Sequence, residues 1–563
     1  MRCVVMLFAV GIIAIVLVLV DKAGELGPFA SSAPELKPDQ QQTASVERLN
    51  AWFHDSWKVA GVAAAGPADE LTVLRRLSLS LLGTIPSLEE IRSFEVDTQP
   101  DRIARWTGRM LQDSRFSDYF SERLARSLVG VESGPFIIFR RDRLTEWLSD
   151  RLREDTPWPE TAASLIAAEG LWTDRPASNF ITVAQISDDE GLDENKLAGR
   201  TVRTFLGQRI DCAQCHNHPF DHRWKQADFE GLAAFFSQAR ITIGGITDRE
   251  VEDGQPVVHR VVDPGADAAA GRIVPPAVPF HPEWLGSGGT QRKHLADWVT
   301  HPANRRFERA TANRIWALMF GRPWHDPVDD LPHPSETNSP DVLDLLGAEF
   351  RAQQGRLSSL IRLIAESEVF RLNSESPLES AEAYRKQAEN WAVFPLVRLR
   401  PEQVIGSMLQ AGSVRTIDQN SHPLIRLIRL TSENDFLGEY GDSGDNEFIR
   451  QVGTIPQALL RMNGRFTTDL TRAEGFTAPM QLLRFSPDDQ ALTENCFLTC
   501  LSRRPSTEEM AFFRRQLSDS DDQPGDDTEA QPDHVSQEPT TREQRVQDLF
   551  WALFNSPAFS WNH

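Results

Sequence analysis

Apolar residues recur three and four apart along almost the whole chain, and this period constrains its fold more than any other feature. "ADELTVLRRLSLSLLG" puts Leu71, Leu74, Leu77, Leu81 and Leu82 on one helical stripe, with Gly83 placed as a C-cap. In "TIPSLEEIRSF", Ser87 and Glu90 have the S-x-x-E spacing of a capping box that opens the next helix. Comparable stripes run through "RIARWTGRMLQDSRFSDYFSERLARSLV", "RDRLTEWLSDRLRED", "KLAGRTVRTFLG", "RFERATANRIWALMFG", "LSSLIRLIAESEVFR" and "QRVQDLFWALFNSPAF". The predicted class is mainly α, with two packed helical domains at 46–239 and 286–563. Residues 240–285 read differently. "RITIGG", "PVVHRVVD" and "GRIVPPAVPF", with Gly, Pro and Asp between them, predict a short β/loop connector. Residues 518–540 are acidic and Pro-containing, without Lys or Arg, and read as a disordered insertion. No repeat of fixed period is present.

The chain begins with an uninterrupted apolar run, "CVVMLFAVGIIAIVLVLV", at residues 3–20. As a helix it spans about 27 Å, close to the hydrocarbon thickness of a bilayer. Arg2 precedes the run, Asp21 and Lys22 follow it, and no small-x-small cleavage site closes it. Residues 1–22 therefore read as an uncleaved signal anchor, a single-pass transmembrane helix, and 23–45 as a flexible tether. With Arg2 inside, the body is expected on the extracytoplasmic side of the cytoplasmic membrane. The membrane is thus one expected partner. A net charge of −22 and a pI near 5.1 argue against nucleic acid as another.

The five cysteines are not scattered. Cys3 lies in the apolar run. Cys496 and Cys500 are four apart, on one face of a helix, and read as buried apolar residues. Cys212, Cys215 and His216 stand in "RIDCAQCHNHPFDHRW" and spell C-x-x-C-H, the attachment signature of a c-type haem. Two thiols would meet the two vinyl groups, and the imidazole beside them would reach the iron. Other readings stay open. His218 and His222 follow closely, so Cys212, Cys215, His216 or His218, and His222 are candidate ligands of zinc. The cysteines alone would serve as a disulfide or a redox dithiol, and the histidines as structural residues around a buried turn. Met319, Met462 and Met480 are candidates for a sixth haem ligand, with nothing in the sequence to choose among them.

The body resembles a known pair of families. "LRRLSLSLLGTIPSLEEIRSF", "LQDSRFSDYFSERLARSL" and "LAGRTVRTFLGQRIDCAQCHNHPFDHRWKQADFEGLAAFF" are similar to the planctomycete cytochrome-like domain of the second type, domain of unknown function 1549. "HLADWVTHPANRRFERATANRIWALMFGRP", "LIRLIAESEVFRLNS", "RPEQVIGSMLQAGS", "GTIPQALLRMNG" and "LFWALFNSPAFSWNH" resemble its usual companion, the planctomycete PSD domain, domain of unknown function 1553. The resemblance covers most of 46–517 and 541–563. It implies a cell-envelope protein with its cofactor, if any, at C-x-x-C-H. Many relatives carry a separate N-terminal cytochrome domain and some a carbohydrate-binding insertion. Here the tether runs directly into the body and the connector is short, so one redox centre is implied and glycan binding loses support.

In the second half His301, Asn304, Asn313, Arg314, His325, Asp329, Asp330 and His333 lie close in sequence. They read first as helix ends and a Pro-rich loop held by side-chain hydrogen bonds, and second as a hydrolytic or metal site. No G-x-S-x-G, Walker, H-E-x-x-H or dinucleotide motif is present. The expected function is an electron-transfer, redox-sensing or ligand-sensing protein with one c-type haem and a redox or envelope partner. The alternative is a non-haem envelope scaffold with zinc or a disulfide at the same motif.

Overall fold

A computed structural model of the chain describes residues 40–131, 139–186, 191–218, 223–262, 271–333, 340–376, 380–417, 448, 454–518 and 540–563. The apolar run at 3–20, His222 and most of the expected insertion at 518–540 lie outside these residues. Among the described residues no helix is long and apolar enough to cross a membrane.

The fold is mainly helical, as the periodicity predicts. The helices α1 (Gln40–Ala60), α2 (Glu70–Leu82), α3 (Leu88–Val96), α4 (Arg102–Gln112), α5 (Ser114–Val129), α6 (Arg141–Arg153), α7 (Trp158–Ile166), α8 (Asn179–Thr182) and α9 (Glu194–Leu206) lead to the cysteine turn. The chain leaves it in α10 (Gln226–Ala233). α1 begins at Gln40, so the stretch expected to be tether is already helical over its last residues. The predicted signals appear as built: Gly83 ends α2 with φ of 70°, and Ser87 and Glu90 exchange both capping-box bonds at the start of α3.

The connector forms three small antiparallel hairpins. These are β1 (Ala239–Thr242) with β2 (Gly245–Asp248), β3 (Val251–Glu252) with β4 (Gln255–Pro256), and β5 (His259–Val261) with β6 (Arg272–Val274). It is packed against the helices rather than strung between them. Ile246 is buried and bridges Gly170. Asp248 takes two bonds of 2.9 Å from the fully buried Arg292, whose third nitrogen reaches the Ile166 and Ala168 carbonyls at the end of α7 and just after it.

The second half adds α11 (Gln291–Val299), α12 (Arg305–Phe320), α13 (Val342–Ala352), α14 (Leu357–Glu366), α15 (Glu368–Arg371), α16 (Ala381–Glu389) and α17 (Pro401–Ala411). After these come α18 (Ile455–Asn463), α19 (Arg465–Thr471), α20 (Ala478–Phe485), α21 (Asp489–Leu501), α22 (Thr507–Ser518), α23 (Arg542–Asn555) and α24 (Pro557–Ser560). Strand β7 (Val397–Arg398) pairs with β8 (Trp561–Asn562) and brings the last residues back.

Burial does not follow the connector. One core takes side chains from Leu49 to Phe394 and joins Leu77 of α2, Phe205 of α9, Trp316 of α12 and Ile361 of α14. A second core is built on α17 and α20 to α24, and includes Leu79 of α2 and Ile85. α2 serves both because it is buried all round, including two arginines. Arg75 donates to the Ala558 and Phe559 carbonyls, and Arg76 to those of Phe370, Leu372 and His563. Backbone oxygens stand where side-chain carboxylates would normally be, and burial pushes Arg76 down to about 9.

A buried charge network ties α5 to α17. Glu402 receives Arg123 from α5 and, at 3.0 Å, Arg400, which also donates to the Tyr119 hydroxyl. Burial alone would raise the Glu402 carboxyl, but Arg123 and Arg400 outweigh it and hold it below its ordinary value. Replacing Glu402 by Gln leaves two buried guanidiniums short of their carboxylate, so a loss of about 3–5 kcal/mol is expected. The folded pKa lies below the unfolded one. The contribution is therefore complete at neutral pH and fades as pH falls through the folded value. Urea midpoints of wild type and Glu402→Gln at pH 7 and at acid pH check this: the gap should narrow on the acid side.

Candidate functional site

The C-x-x-C-H residues sit on a single exposed turn. α9 ends at Gly207, whose φ of 60° turns the chain left-handed, and Ile210 then anchors it in the core. Asp211–Gln214 form one 3-10 turn in which Ala213 points inward and Cys212 is exposed. Cys215 and His216 both fold their N–H groups back onto the Cys212 carbonyl at 3.4 Å. All three motif side chains are exposed, and both thiols are free. The absence of a side chain at Gly199 admits Asp211, which ion-pairs with Arg203 at 2.6 Å.

The His216 Nδ1 lies 2.8 Å from the Asn217 carbonyl. A carbonyl only accepts, so Nδ1 is the donor in this contact, which leaves Nε2 as the ring nitrogen that a metal would take. Asn217 also accepts from the Gln226 N–H at 3.0 Å, and so fixes the turn to the start of α10. His218 turns inward. It is 7% exposed, and its N–H donates to the Trp224 carbonyl at 2.9 Å. The described residues therefore place Cys212, Cys215 and His216 on one surface and His218 behind it. Met319 is fully buried in α12, while Met462 and Met480 belong to α18 and α20.

The base of the turn is held by the second half of the chain. Gln208 donates to Asp330 at 2.8 Å, the Arg209 N–H to the same oxygen at 3.3 Å, and the Arg209 guanidinium to Asp329 at 2.8–2.9 Å. The Leu331 N–H donates to the Gly207 carbonyl at 2.7 Å. From beneath, Arg306 of α12 donates to Gln208 at 3.1 Å and lies over the Trp224 ring at 5.6 Å. Sequence reading singled out Asp329 and Asp330 but did not connect them to the cysteines. It missed Gln208, Arg209 and Arg306, which have no local signature because their partners lie about a hundred residues away in the chain.

The His/Asp set of the second half does not converge. Asn304 caps α12, and Asn313 ties the following loop through His325 and Val328. His325 faces Asp341 at 3.3 Å, His301 stacks on Trp284 at 4.7 Å, and Asp329 and Asp330 face the cysteine turn. This is the pattern of a loop held by side-chain hydrogen bonds, the first of the two readings.

Residues 48–241 match PSCyt2, a protein of unknown function (DUF1549), and residues 291–426 match PSD1, a protein of unknown function (DUF1553). The chain carries a PSCyt2 domain followed by a PSD1 domain. The PSD1 match ends at 426, so "GTIPQALLRMNG" and "LFWALFNSPAFSWNH" lie beyond it. No curated protein and no solved structure matches the chain. The cysteine turn lies in PSCyt2, and the aspartates and arginine that hold its base lie in PSD1.

The donor set fits covalent haem attachment: two free, exposed thiols, and an imidazole whose Nδ1–H is already spent on a carbonyl. Among the described residues no three His, Cys, Asp or Glu side chains converge as a metal-holding group, and His222, a ligand of the zinc reading, lies outside them.

Two outcomes are expected. Asp330→Ala should free the base of the turn, and hydrogen exchange of peptides covering 208–218 should rise by roughly tenfold, with little change in global melting. The thiols should also divide sharply. Burial raises Cys496 and Cys500 above the ordinary thiol value. In a Cys3→Ser background without attached haem, Cys212 and Cys215 should react rapidly with a disulfide reagent. Cys496 and Cys500 should react only on unfolding; rapid labelling that survives Cys212→Ser/Cys215→Ser would contradict the assignment.

Proposed function

We propose that the PSCyt2 turn carries one covalently attached c-type haem, which Cys212 and Cys215 would hold through thioether links and His216 through its imidazole. The protein then acts at the cell envelope as a single-centre electron carrier, or as a sensor of redox state or of a small axial ligand. The observation that supports this best is the His216 tautomer. A carbonyl-bound Nδ1 orients the imidazole beside two free thiols on one turn, an arrangement that suits haem attachment.

In this reading the haem, once bound, supplies one-electron chemistry at its iron. The protein's own residues do the positioning. Asn217 keeps the imidazole in one tautomer, and Asp329 and Asp330 hold the turn through Arg209 and Gln208. The apolar run at 3–20 tethers the body to the cytoplasmic membrane with the turn on the extracytoplasmic side, the compartment in which haem c is assembled and a redox or envelope partner is met.

The test is a pyridine haemochrome spectrum of the full chain, made in a host with cytochrome c maturation and purified in detergent. A c-type α-band should stay with the denatured chain and be absent from Cys212→Ala/Cys215→Ala. Well-folded wild-type protein without haem would overturn the proposal. Metal analysis and thiol counting of the same sample would then separate zinc from a disulfide.

A further inference from the structure

Away from the cysteine turn, a cavity of about 300 Å³ opens where α4 meets α5, beside the end of α6 and the start of α7. That volume is at the small end of ligand pockets. Leu111, Phe116, Leu148, Leu152 and Trp158 give it an apolar interior, all from PSCyt2. Ser358 and Arg362 close it from α14 of PSD1.

The charges around it are unevenly spent. Three guanidiniums, of Arg151, Arg153 and Arg362, and two carboxylates, of Asp113 and Asp155, line the space. Asp113 is engaged on both oxygens by the Arg115 guanidinium and N–H, while Asp155 has one longer contact, 3.4 Å, to Arg356. Arg153 pairs with Asp150, while Arg151 has only long contacts of 3.6 and 3.9 Å to Glu160 and Glu154. Arg362 is half-buried, and among the described residues no carboxylate lies within ion-pair distance of it and no acceptor takes its protons. Burial lowers its pKa, which the more distant Glu366 and Asp155 only partly offset. A half-buried guanidinium with unspent donors on a cavity wall is placed to pair with an anion entering that cavity. Among the described residues the Ser358 hydroxyl on the same helix likewise has no hydrogen-bond partner.

We infer that this cavity binds a small organic monocarboxylate, its carboxylate held by Arg362 and Ser358 and its apolar body lying on Phe116, Leu148 and Trp158. A guanidinium offers two parallel N–H donors to a carboxylate. The apolar interior discriminates against inorganic anions, which bring nothing to bury. Because its two sides come from different domains, such a ligand bridges PSCyt2 and PSD1. The site is independent of the haem reading, since no residue of the cysteine turn lines it.

The test uses 19F line broadening of 4-fluorobenzoate with the full chain in detergent. Saturable binding is expected, weakened about tenfold or more by Arg362→Leu and less by Arg362→Lys. Leu152→Trp, which fills the cavity from its wall, should abolish it. Matched melting temperatures establish that the variants fold, and the neutral 4-fluorobenzyl alcohol should bind at least tenfold more weakly. Absence of saturable binding to wild type, equal binding to Arg362→Leu and Leu152→Trp, or displacement by inorganic phosphate as effective as by unlabelled benzoate would each overturn the inference.

Discussion

Everything in the larger core is arranged around one helix, α12. From Arg306 to Phe320 every residue except Arg314 is buried, so it behaves as the axis of the fold rather than as one side of a bundle. Its apolar residues, with Trp316 and Phe320 the largest, pack against Phe53 of α1, Trp391 and Trp324. The central helix of PSD1 thereby packs against elements of both domains, α1, α2 and α9 of PSCyt2 as well as α13 and α14 of PSD1. Removing either domain would expose the interior of the other, which is why the two matched regions share a core although a connector separates them in sequence.

The buried charges at the start of α12 give this core its register. Glu308 takes both donors of Arg351 from α13, at 2.6 and 2.8 Å, and Arg309 clasps Asp341, the residue that caps α13, through two bonds of 2.8 Å. Burial keeps Glu308 raised even with Arg351 beside it, so the pair is not simply stabilising; apolar residues of equal volume would serve stability as well. What such pairs supply is directionality. Arg309 meets Asp341 in one rotational setting of α12, and that same setting puts Arg306 under Gln208 and Trp224. The geometry of the cysteine turn is thus inherited from helix packing some distance away.

Much of this was legible in the sequence where the cause is local. The stripe of α2, the capping box of Ser87 and Glu90, the hairpins of the connector and the inward-facing Cys496 and Cys500 all follow from neighbours within a few residues. The C-x-x-C-H turn was legible for the same reason. What escaped was every feature made by residues far apart in the chain. Arg75 and Arg76 look like the polar edge of a helix, but they are buried because Ala558 and Phe559 of α24, His563 after β8, and Phe370 and Leu372 at the end of α15 turn their backbone oxygens onto them. Asp329 and Asp330 look like a loop's polar tip, but they are the partners of Gln208 and Arg209. Spacing records periodicity and caps; it does not record which carboxylate an arginine will reach.

These long-range contacts also bear on what the cysteine turn is suited to do. Its base is clamped by Asp329, Asp330 and Arg306, while Cys212, Cys215 and His216 face outward. A catalytic cofactor usually needs a closed, water-poor chamber in which to act. An electron carrier needs the opposite, an anchor that does not move on a face that a partner can approach. Among the described residues, fixing the turn from beneath supplies rigidity while its three motif side chains stay exposed. If the proposed haem were attached there, such a mount would suit exchange with a docked partner better than chemistry on a substrate.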